Sequence, residues 1–199
     1  EGYARNPELV INFYNERRKQ LLDVVPNAGH LGVADLERDF NVTVVTQNVD
    51  NLHERAGSTH VIHLHGELTK VCSSRDPYNP HFVKELAPEE YEVKLGDKAG
   101  DGTQLRPFIV WFGESVPEIE TAIRYVEQAD IFVIIGTSLN VYPATGLLNY
   151  VPRAAEVYLI DPKPVDTHVM RPIHVIQKGA SEGVKELKAL LTVTQPPLP

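Results

Sequence analysis

Cysteine is nearly absent from this sequence: Cys72 is the only one in 199 residues. A single thiol excludes an intrachain disulfide and a metal site built from several thiolates. The composition is typical of a reducing compartment, and we therefore expect a cytoplasmic protein.

Basic charge and long apolar runs are also scarce. Lys and Arg number 19 against 27 Asp and Glu, which leaves a net charge of −8. A nucleic-acid surface needs clustered cations, so we expect no nucleic-acid partner. The longest apolar runs, near 108–112 and 131–135, are too short to span a bilayer, so we expect no membrane partner.

Neither a G-x-G-x-x-G fingerprint nor a P-loop occurs in the sequence. Short apolar segments are present instead, and they alternate with helical patterns such as 8–22 and 117–128. We predict strands at 42–46, 61–65, 108–112, 131–135, 157–160 and 174–176. This alternation predicts an α/β fold, a parallel sheet with helices on both faces.

Polar side chains follow the first predicted strand at once. Gln47, Asn48 and Asp50 occupy three of the four positions after Thr46. Such residues often only form turns. Their density directly after a buried strand favours a ligand site at the carboxyl end of the sheet.

Two histidines alternate at the end of the second strand, so their side chains share a face. A metal hydrolase could use His63 and His65 as ligands, but it would need further ligands whose spacing is not evident here. His65 precedes Gly66, which permits close approach of a ligand, and is the better candidate for a general base.

Two further groups have both a binding and an ordinary structural interpretation. Gly136, Thr137 and Ser138 follow a strand and could bind a ribose or phosphate, or simply end the strand. Tyr14 and Arg17 lie three apart on a helix, where a phenol and a guanidinium suit a carboxylate, or form an ordinary solvated face.

Taken together, these motifs resemble the sirtuins, the NAD-dependent protein-lysine deacylases. The matching segments, in order along nearly the whole chain, are 29–30 (GH), 46–53 (TQNVDNLH), 56–57 (AG), 65–66 (HG), 105–107 (LRP), 110–114 (VWFGE), 136–138 (GTS) and 141–143 (VYP). The bacterial members and the mitochondrial desuccinylase-type branch are most similar. Tyr14-x-x-Arg17 stands at the position where that branch holds an acidic acyl group.

The resemblance implies a Rossmann-like domain that binds NAD as co-substrate. The implied cofactor contacts are Gln47 and Asn48 to the nicotinamide ribose, Asp50 to the carboxamide, Gly136, Thr137 and Ser138 to the adenosine ribose, and Gly179 and Ala180 to the adenine. His65 and Asn48 would be catalytic, with His65 the general base that activates a ribose hydroxyl. The products would be nicotinamide, free lysine and an O-acyl-ADP-ribose.

The implied second substrate is an acylated lysine side chain of a protein. Its peptide would pair as an added strand between two segments of the chain. The implied contacts are Val110, Phe112, Gly113 and Glu114 on one side and Val141 and Tyr142 on the other. Because Tyr14 and Arg17 would bind an acidic acyl group, we expect desuccinylation and demalonylation in addition to deacetylation.

The inserted stretch 67–104 is rich in Pro, Asp, Gly and Lys, and its apolar periodicity is weak. We expect residues 1–25 to form the helical part of a small lobe, 67–104 its inserted part, 26–66 and 105–192 the Rossmann-like domain, and 193–199 a tail. The family's structural zinc uses four thiolates, so with Cys72 alone we expect a zinc-free lobe.

The family's Gly-Ala-Gly segment, which supplies the first and central strand of the sheet and the phosphate-binding turn, is missing from this sequence. We therefore expect a gap in the sheet and a longer parent protein, monomeric at full length. Two alternatives stay open: a non-catalytic fragment that keeps the peptide groove, and a mono-ADP-ribosyltransferase on the same fold.

Overall fold

The computed structural model describes residues 2–137, 144–164 and 171–194. The chain divides into two compact units. Unit 1 comprises Glu1–Val25, Thr46–Asn51 and His63–Pro117, and unit 2 comprises Pro26–Val45, Leu52–Ile62 and Glu118–Pro199. Within these described ranges, every helix is too short or too polar to cross a bilayer.

Two helices open unit 1: α1 (Gly2–Arg5) and α2 (Pro7–Asp23). The Asn6 side chain caps α2 by accepting the Leu9 N–H at 3.0 Å, and Pro7 follows at the first helical position. The buried face of α2 repeats every three or four residues, as an amphipathic helix requires: Ile11, Asn15, Arg18 and Leu21.

Buried polar side chains attach α2 to the lobe. The Asn15 amide donates to the Val93 carbonyl at 2.8 Å and accepts the Val93 N–H at 2.9 Å. Arg18 donates to the Tyr91 carbonyl at 2.7 Å and to the Asn15 Oδ1 at 2.6 Å. Burial lowers the pKa of Arg18 to about 10, so the guanidinium remains charged at neutral pH.

The lobe contains an antiparallel sheet in the order β4–β3–β5, formed by β3 (Gly66–Ser73), β4 (Lys84–Glu85) and β5 (Leu105–Ile109). Single 3-10 turns occupy Pro80–Phe82 and Pro88–Glu90. The strand expected at 108–112 therefore lies three residues earlier. The reason is the partner: Ile109 pairs with Gly66, the first residue of β3, and pairing ends there.

That pairing also decides where the segment 105–117 belongs. It lies in unit 1 with the lobe, whereas the sequence predicted that the Rossmann-like domain resumes at 105. The sequence of an apolar strand does not indicate which strand it will pair with. Here β5 pairs antiparallel with β3.

Hydroxyl groups and one carboxylate join the end of β3 to the 97–104 turn. Ser73 Oγ donates to Asp101 at 2.7 Å, and Thr103 donates to the same carboxylate through its hydroxyl at 2.7 Å and its N–H at 3.1 Å. These bonds, those of the Ser73 and Thr103 hydroxyls first, lower the pKa of Asp101 to about 2.

Unit 2 is built on the parallel sheet β6–β7–β8: β6 (Ile131–Ile135), β7 (Glu156–Ile160) and β8 (His174–Ile176). Its helices are α3 (Ala28–Asp35), α4 (Leu52–Ala56), α5 (Ile119–Val126), α6 (Ala144–Leu147) and α7 (Ala180–Thr194), with 3-10 turns at Leu36–Arg38 and Leu148–Tyr150. Its core is apolar throughout: Val33, Leu36, Tyr158, Ile160, Ile176, Val184, Leu187 and Leu191.

A separate two-stranded sheet pairs β1 (Val44–Thr46) with β2 (Val61–His63). The Val44 N–H donates to the His60 carbonyl and the Leu64 N–H to the Thr46 carbonyl, at 3.0 and 2.9 Å, which is a parallel pattern. Among the described residues no ladder joins this pair to β6–β8. The gap expected in the middle of the sheet stays a prediction.

Gly66 joins β2 to β3 under a close steric constraint. Its φ is +85°, and a Cβ at this position would lie 2.0 Å from the Phe108 carbonyl oxygen. Only glycine fits both the backbone conformation and this approach. The lobe therefore depends on glycine at the residue that comes after His65.

We expect Gly66→Ala to destabilise the protein by about 3 kcal/mol or more, because backbone strain and a clash with backbone add. Gly102→Ala is the matched control: its φ is also positive, +78°, but nothing lies within 4 Å of its Cβ position. The control should cost only about 1–2 kcal/mol. If urea unfolding showed equal decreases in the free energy of unfolding for both variants, the steric argument would be wrong.

Candidate functional site

His65 is oriented by a backbone carbonyl. Its ring Nδ1 lies 3.1 Å from the Gln47 carbonyl oxygen. A carbonyl can only accept, so Nδ1 carries the proton in this bond, and in the neutral ring Nε2 keeps its lone pair. The His65 carbonyl accepts the Val110 N–H at 2.9 Å, which holds the backbone as well. This half-buried imidazole is oriented as a base through Nε2.

The neighbouring loop is held by its own backbone groups. The Asn48 N–H donates to the Thr46 hydroxyl at 3.0 Å, and His63 Nδ1 lies 3.1 Å from the Asn48 carbonyl. His63, only 8% exposed, thus gives this loop structural support. The alternation predicted for the two histidines is explained: each holds one carbonyl of the 47–48 segment.

The side chains of Gln47, Asn48 and Asp50 are half-buried or exposed and belong to the same unit as His65. The structure therefore brings together the residues that the sequence analysis assigned to the nicotinamide half of a dinucleotide. Their contacts with a ligand stay predictions.

A second group of candidate residues lies after the strands of unit 2. Gly136 comes directly after β6 with φ +65°, and its N–H donates to the Ile160 carbonyl at 2.9 Å. The Thr137 hydroxyl is buried and has no hydrogen-bond partner among the described residues. Buried hydroxyls nearly always have partners, so this one fits a bound hydroxyl such as that of a ribose. Ser138, Val141 and Tyr142 lie outside the described residues.

Gly179 directly precedes α7, and Ala180 is the first residue of that helix, after β8. The Gly179 carbonyl accepts the Gly183 N–H at 2.8 Å, and nothing lies within 4 Å of a Cβ placed on Gly179. Because β6 and β8 are parallel within one sheet, Gly136 and Gly179 lie at its same, carboxyl edge.

The predicted peptide-binding segment forms a tight turn after β5. The Glu114 N–H donates to the Trp111 carbonyl at 3.0 Å, with Gly113 at φ +89°. Phe112 is fully exposed at the tip, and Val110 is half-buried. An exposed phenylalanine on a fixed turn is a surface that a ligand could cover.

Glu114 has an internal partner. Arg106, 5% exposed, donates through Nη1 and Nη2 to its two carboxylate oxygens at 2.7 and 3.0 Å, and the Trp111 N–H donates to Oε2 at 2.9 Å. Partial burial by itself would raise the pKa of Glu114, but these hydrogen bonds outweigh it and leave the pKa below its usual value. Glu114 thus holds the turn, and a direct peptide contact of its side chain stays a prediction.

Sequence reasoning gave no role to Arg106 or Trp111. The Arg106 guanidinium carbon lies 3.8 Å from the centre of the Trp111 ring, and Nη2 also donates to the Ile109 carbonyl at 2.9 Å. The signal that could have found them was the only tryptophan of the sequence, in a predicted strand that runs into a glycine.

Tyr14 and Arg17 have different environments on α2. The half-buried Tyr14 accepts a hydrogen bond from Trp111 Nε1 at 3.1 Å. The exposed Arg17 donates to the Gln20 carboxamide at 3.1 Å and lies 5.1 Å from the Phe13 ring centre. No carboxylate of the described chain pairs with Arg17, so its charge is available to an acidic ligand.

The lobe does not fit a zinc site of the family's kind. Cys72 is buried, its Sγ lies 3.8 Å from the Pro107 carbonyl oxygen, and burial raises its pKa to about 11. A thiol held in its protonated form is a poor zinc ligand. The zinc-free lobe stays a prediction.

Comparison with known proteins decides the family. Residues 1–143 match the Sir2 family. The chain belongs to the Sir2 family. An NAD-dependent protein deacylase of Bacteroides thetaiotaomicron is 82% identical over 191 residues, which cover 96% of this chain and 82% of the relative. A second, from Helicobacter pylori, is 46% identical over 186 residues, covering 94% and 79%.

Solved structures agree with the sequence relatives. A Sir2 homologue in complex with NAD superposes with a TM-score of 0.81 at 35% identity, covering 96% of this chain and 74% of the homologue. A Sir2 complex with a p53 peptide and NAD gives a TM-score of 0.76 at 26% identity, covering 96% and 81%. The predicted family and the predicted α/β fold class are confirmed.

We expect the neutral form of His65 to carry its proton on Nδ1, because the Gln47 carbonyl can only accept. Long-range ¹H–¹⁵N spectra of labelled protein report which ring nitrogen holds the proton. His81, exposed in the lobe, is the internal reference. A proton on Nε2 of His65 would disprove this orientation of the base.

Proposed function

We propose that this Sir2-family protein is an NAD-dependent protein-lysine deacylase. The observation that carries the proposal is the imidazole of His65, whose Nδ1 is engaged by the Gln47 carbonyl and whose Nε2 is left as the base. The deacylase relatives and the neighbour solved with a peptide and NAD support the choice of substrates.

In the proposed reaction, Gln47 and Asn48 hold the nicotinamide ribose and Asp50 recognises the carboxamide. The acyl oxygen of the substrate lysine forms a bond to the ribose carbon as the bond to nicotinamide breaks. His65 Nε2 then accepts the proton of a ribose hydroxyl, which attacks the acyl carbon. The lysine amine then leaves with a proton, and a water molecule adds its oxygen to the acyl carbon. Acyl-lysine, NAD and water thus give nicotinamide, free lysine and an O-acyl-ADP-ribose.

The adenosine half of the dinucleotide would bind at the carboxyl edge of β6–β8. Thr137 supports this assignment, because its buried hydroxyl has no partner in the described part of the chain. Gly136 and Gly179 lie at the same edge, where their lack of a side chain leaves space for a ligand to approach the backbone. In this arrangement the protein positions a reactive cofactor and contributes little covalent chemistry of its own.

A panel of acetylated, succinylated and malonylated lysine peptides with NAD tests the activity. We expect nicotinamide release that requires both NAD and an acyl peptide. Replacing the base in His65→Asn should lower kcat by about 100-fold to 10,000-fold. His81→Asn, a surface change in the same unit, should leave the rate unchanged. Nicotinamide release without any acyl peptide would favour ADP-ribosyl transfer instead.

We further propose that acidic acyl groups are substrates, with succinyl and malonyl beside acetyl. The support is that the phenol of Tyr14 and the guanidinium of Arg17 lie three positions apart on α2, and that Arg17 has no carboxylate partner in the described chain. A guanidinium binds a carboxylate through two parallel hydrogen bonds, which a neutral acetyl group cannot match.

Arg17→Met should therefore reduce kcat/KM for a succinyl peptide by about 10-fold to 100-fold, the usual cost of a lost charged hydrogen bond. The acetyl peptide should change by less than about twofold. Lys19→Met removes one exposed cation from the same helix and is the matched control. Equal losses on both peptides would defeat the assignment of Arg17 to the acyl group.

A further inference from the structure

A single hydrogen bond links the predicted acyl-binding residue to the predicted peptide-binding turn. The Trp111 indole Nε1 donates to the Tyr14 hydroxyl oxygen at 3.1 Å, across 97 positions of sequence. An indole N–H can only donate, so the direction of this bond is certain.

The direction of the bond decides what the phenol can still do. A tyrosine hydroxyl has one proton to donate and lone pairs that accept. Trp111 takes a lone pair and leaves the proton unused, and among the described residues this is the one hydrogen bond of the Tyr14 hydroxyl. The phenol is therefore set up as a donor, which is the role that a carboxylate ligand requires.

The indole itself is held from several sides without any help from a ligand. The Arg106 guanidinium lies 3.8 Å from its ring centre, and the Tyr3 ring lies 5.0 Å away. The Trp111 backbone N–H donates to the Glu114 carboxylate, which the buried Arg106 also binds. The indole N–H is thus fixed in place before any acyl group arrives.

We propose that Trp111 is a positioning residue for acyl specificity: it orients the Tyr14 hydroxyl so that its proton points to the carboxylate of an acidic acyl group. The inference rests on the proposed deacylation of acidic acyl-lysines. It adds Trp111, which contacts the predicted acyl-binding residue Tyr14 and connects it to the turn at 110–114.

An ordinary structural role predicts something different. If Trp111 only packs α2 against the turn, its loss should damage the turn and affect all acyl peptides alike. If it orients Tyr14, its replacement should reduce activity only on acidic acyl peptides, and only while Tyr14 is present. The two roles can therefore be separated by comparing acidic with neutral acyl peptides, and by testing whether the effects of replacing Trp111 and Tyr14 are additive.

The decisive variant is Trp111→Phe, which keeps an aromatic ring beside Arg106 and removes only the N–H and part of the ring. For a succinyl peptide we expect KM to rise about fivefold with kcat nearly unchanged, since one neutral hydrogen bond orients a binding group. For an acetyl peptide both constants should stay within about twofold. In a Tyr14→Phe background, Trp111→Phe should add nothing.

Two kinetic results would overturn the proposal. One is an equal loss on succinyl and acetyl peptides, and the other is additive losses in the double variant. If the unmutated protein does not remove succinyl or malonyl groups, this inference falls together with the acidic-acyl proposal. If Arg17→Met behaves as expected but Trp111→Phe does not, only the role of Trp111 is wrong.

A spectroscopic test does not depend on Trp111→Phe folding well. The indole N–H resonance of Trp111 in ¹⁵N-tryptophan-labelled protein should move upfield in Tyr14→Phe, because its acceptor is gone. It should also shift when a succinyl peptide binds the unmutated protein, and shift less with an acetyl peptide. An unchanged resonance in Tyr14→Phe would show that the hydrogen bond does not exist.

Discussion

The approach of Gly66 to the Phe108 carbonyl is the constraint on which unit 1 depends. It lets the chain pass from β2 to β3 through only two residues, Leu64 and His65, and it places Gly66 opposite Ile109 of β5. His65 stands at that junction, with its ring held by Gln47 and its carbonyl by the Val110 N–H. One close backbone contact therefore positions both the proposed base and the start of the proposed peptide-binding turn.

The buried guanidinium of Arg106 organises the turn at 110–114. Removing a charge from water is costly unless its partners are well placed, and Glu114 supplies both oxygens while the Ile109 carbonyl takes a further N–H. The same cation lies against the Trp111 ring. Because the turn is held by internal bonds, Phe112 can remain exposed without collapsing onto the lobe. Preorganisation of this kind reduces the entropy lost when a peptide binds.

Sequence patterns predicted the elements of unit 2 well, because its strands are short apolar runs bounded by polar residues. The strands at 131–135 and 174–176 match β6 and β8 to the residue. The lobe was harder. β3 was not predicted, since half of its residues are polar and its partners lie 13 to 15 positions away in β4 and 32 to 43 positions away in β5. The five-residue α4 was missed because it is too short to show a helical period.

The sequence by itself determined the family, the α/β class and the identity of the candidate residues, because motifs such as 46–53 and 110–114 need particular side chains at set spacings. Only the tertiary structure decided how those residues act. The tautomer of His65 depends on a carbonyl 18 positions away, and the internal partner of Glu114 is a buried arginine. The donor role of Tyr14 depends on an indole 97 positions away. Hydrogen bonds between distant segments have no local sequence signal, since each depends on where the folded backbone brings its two ends.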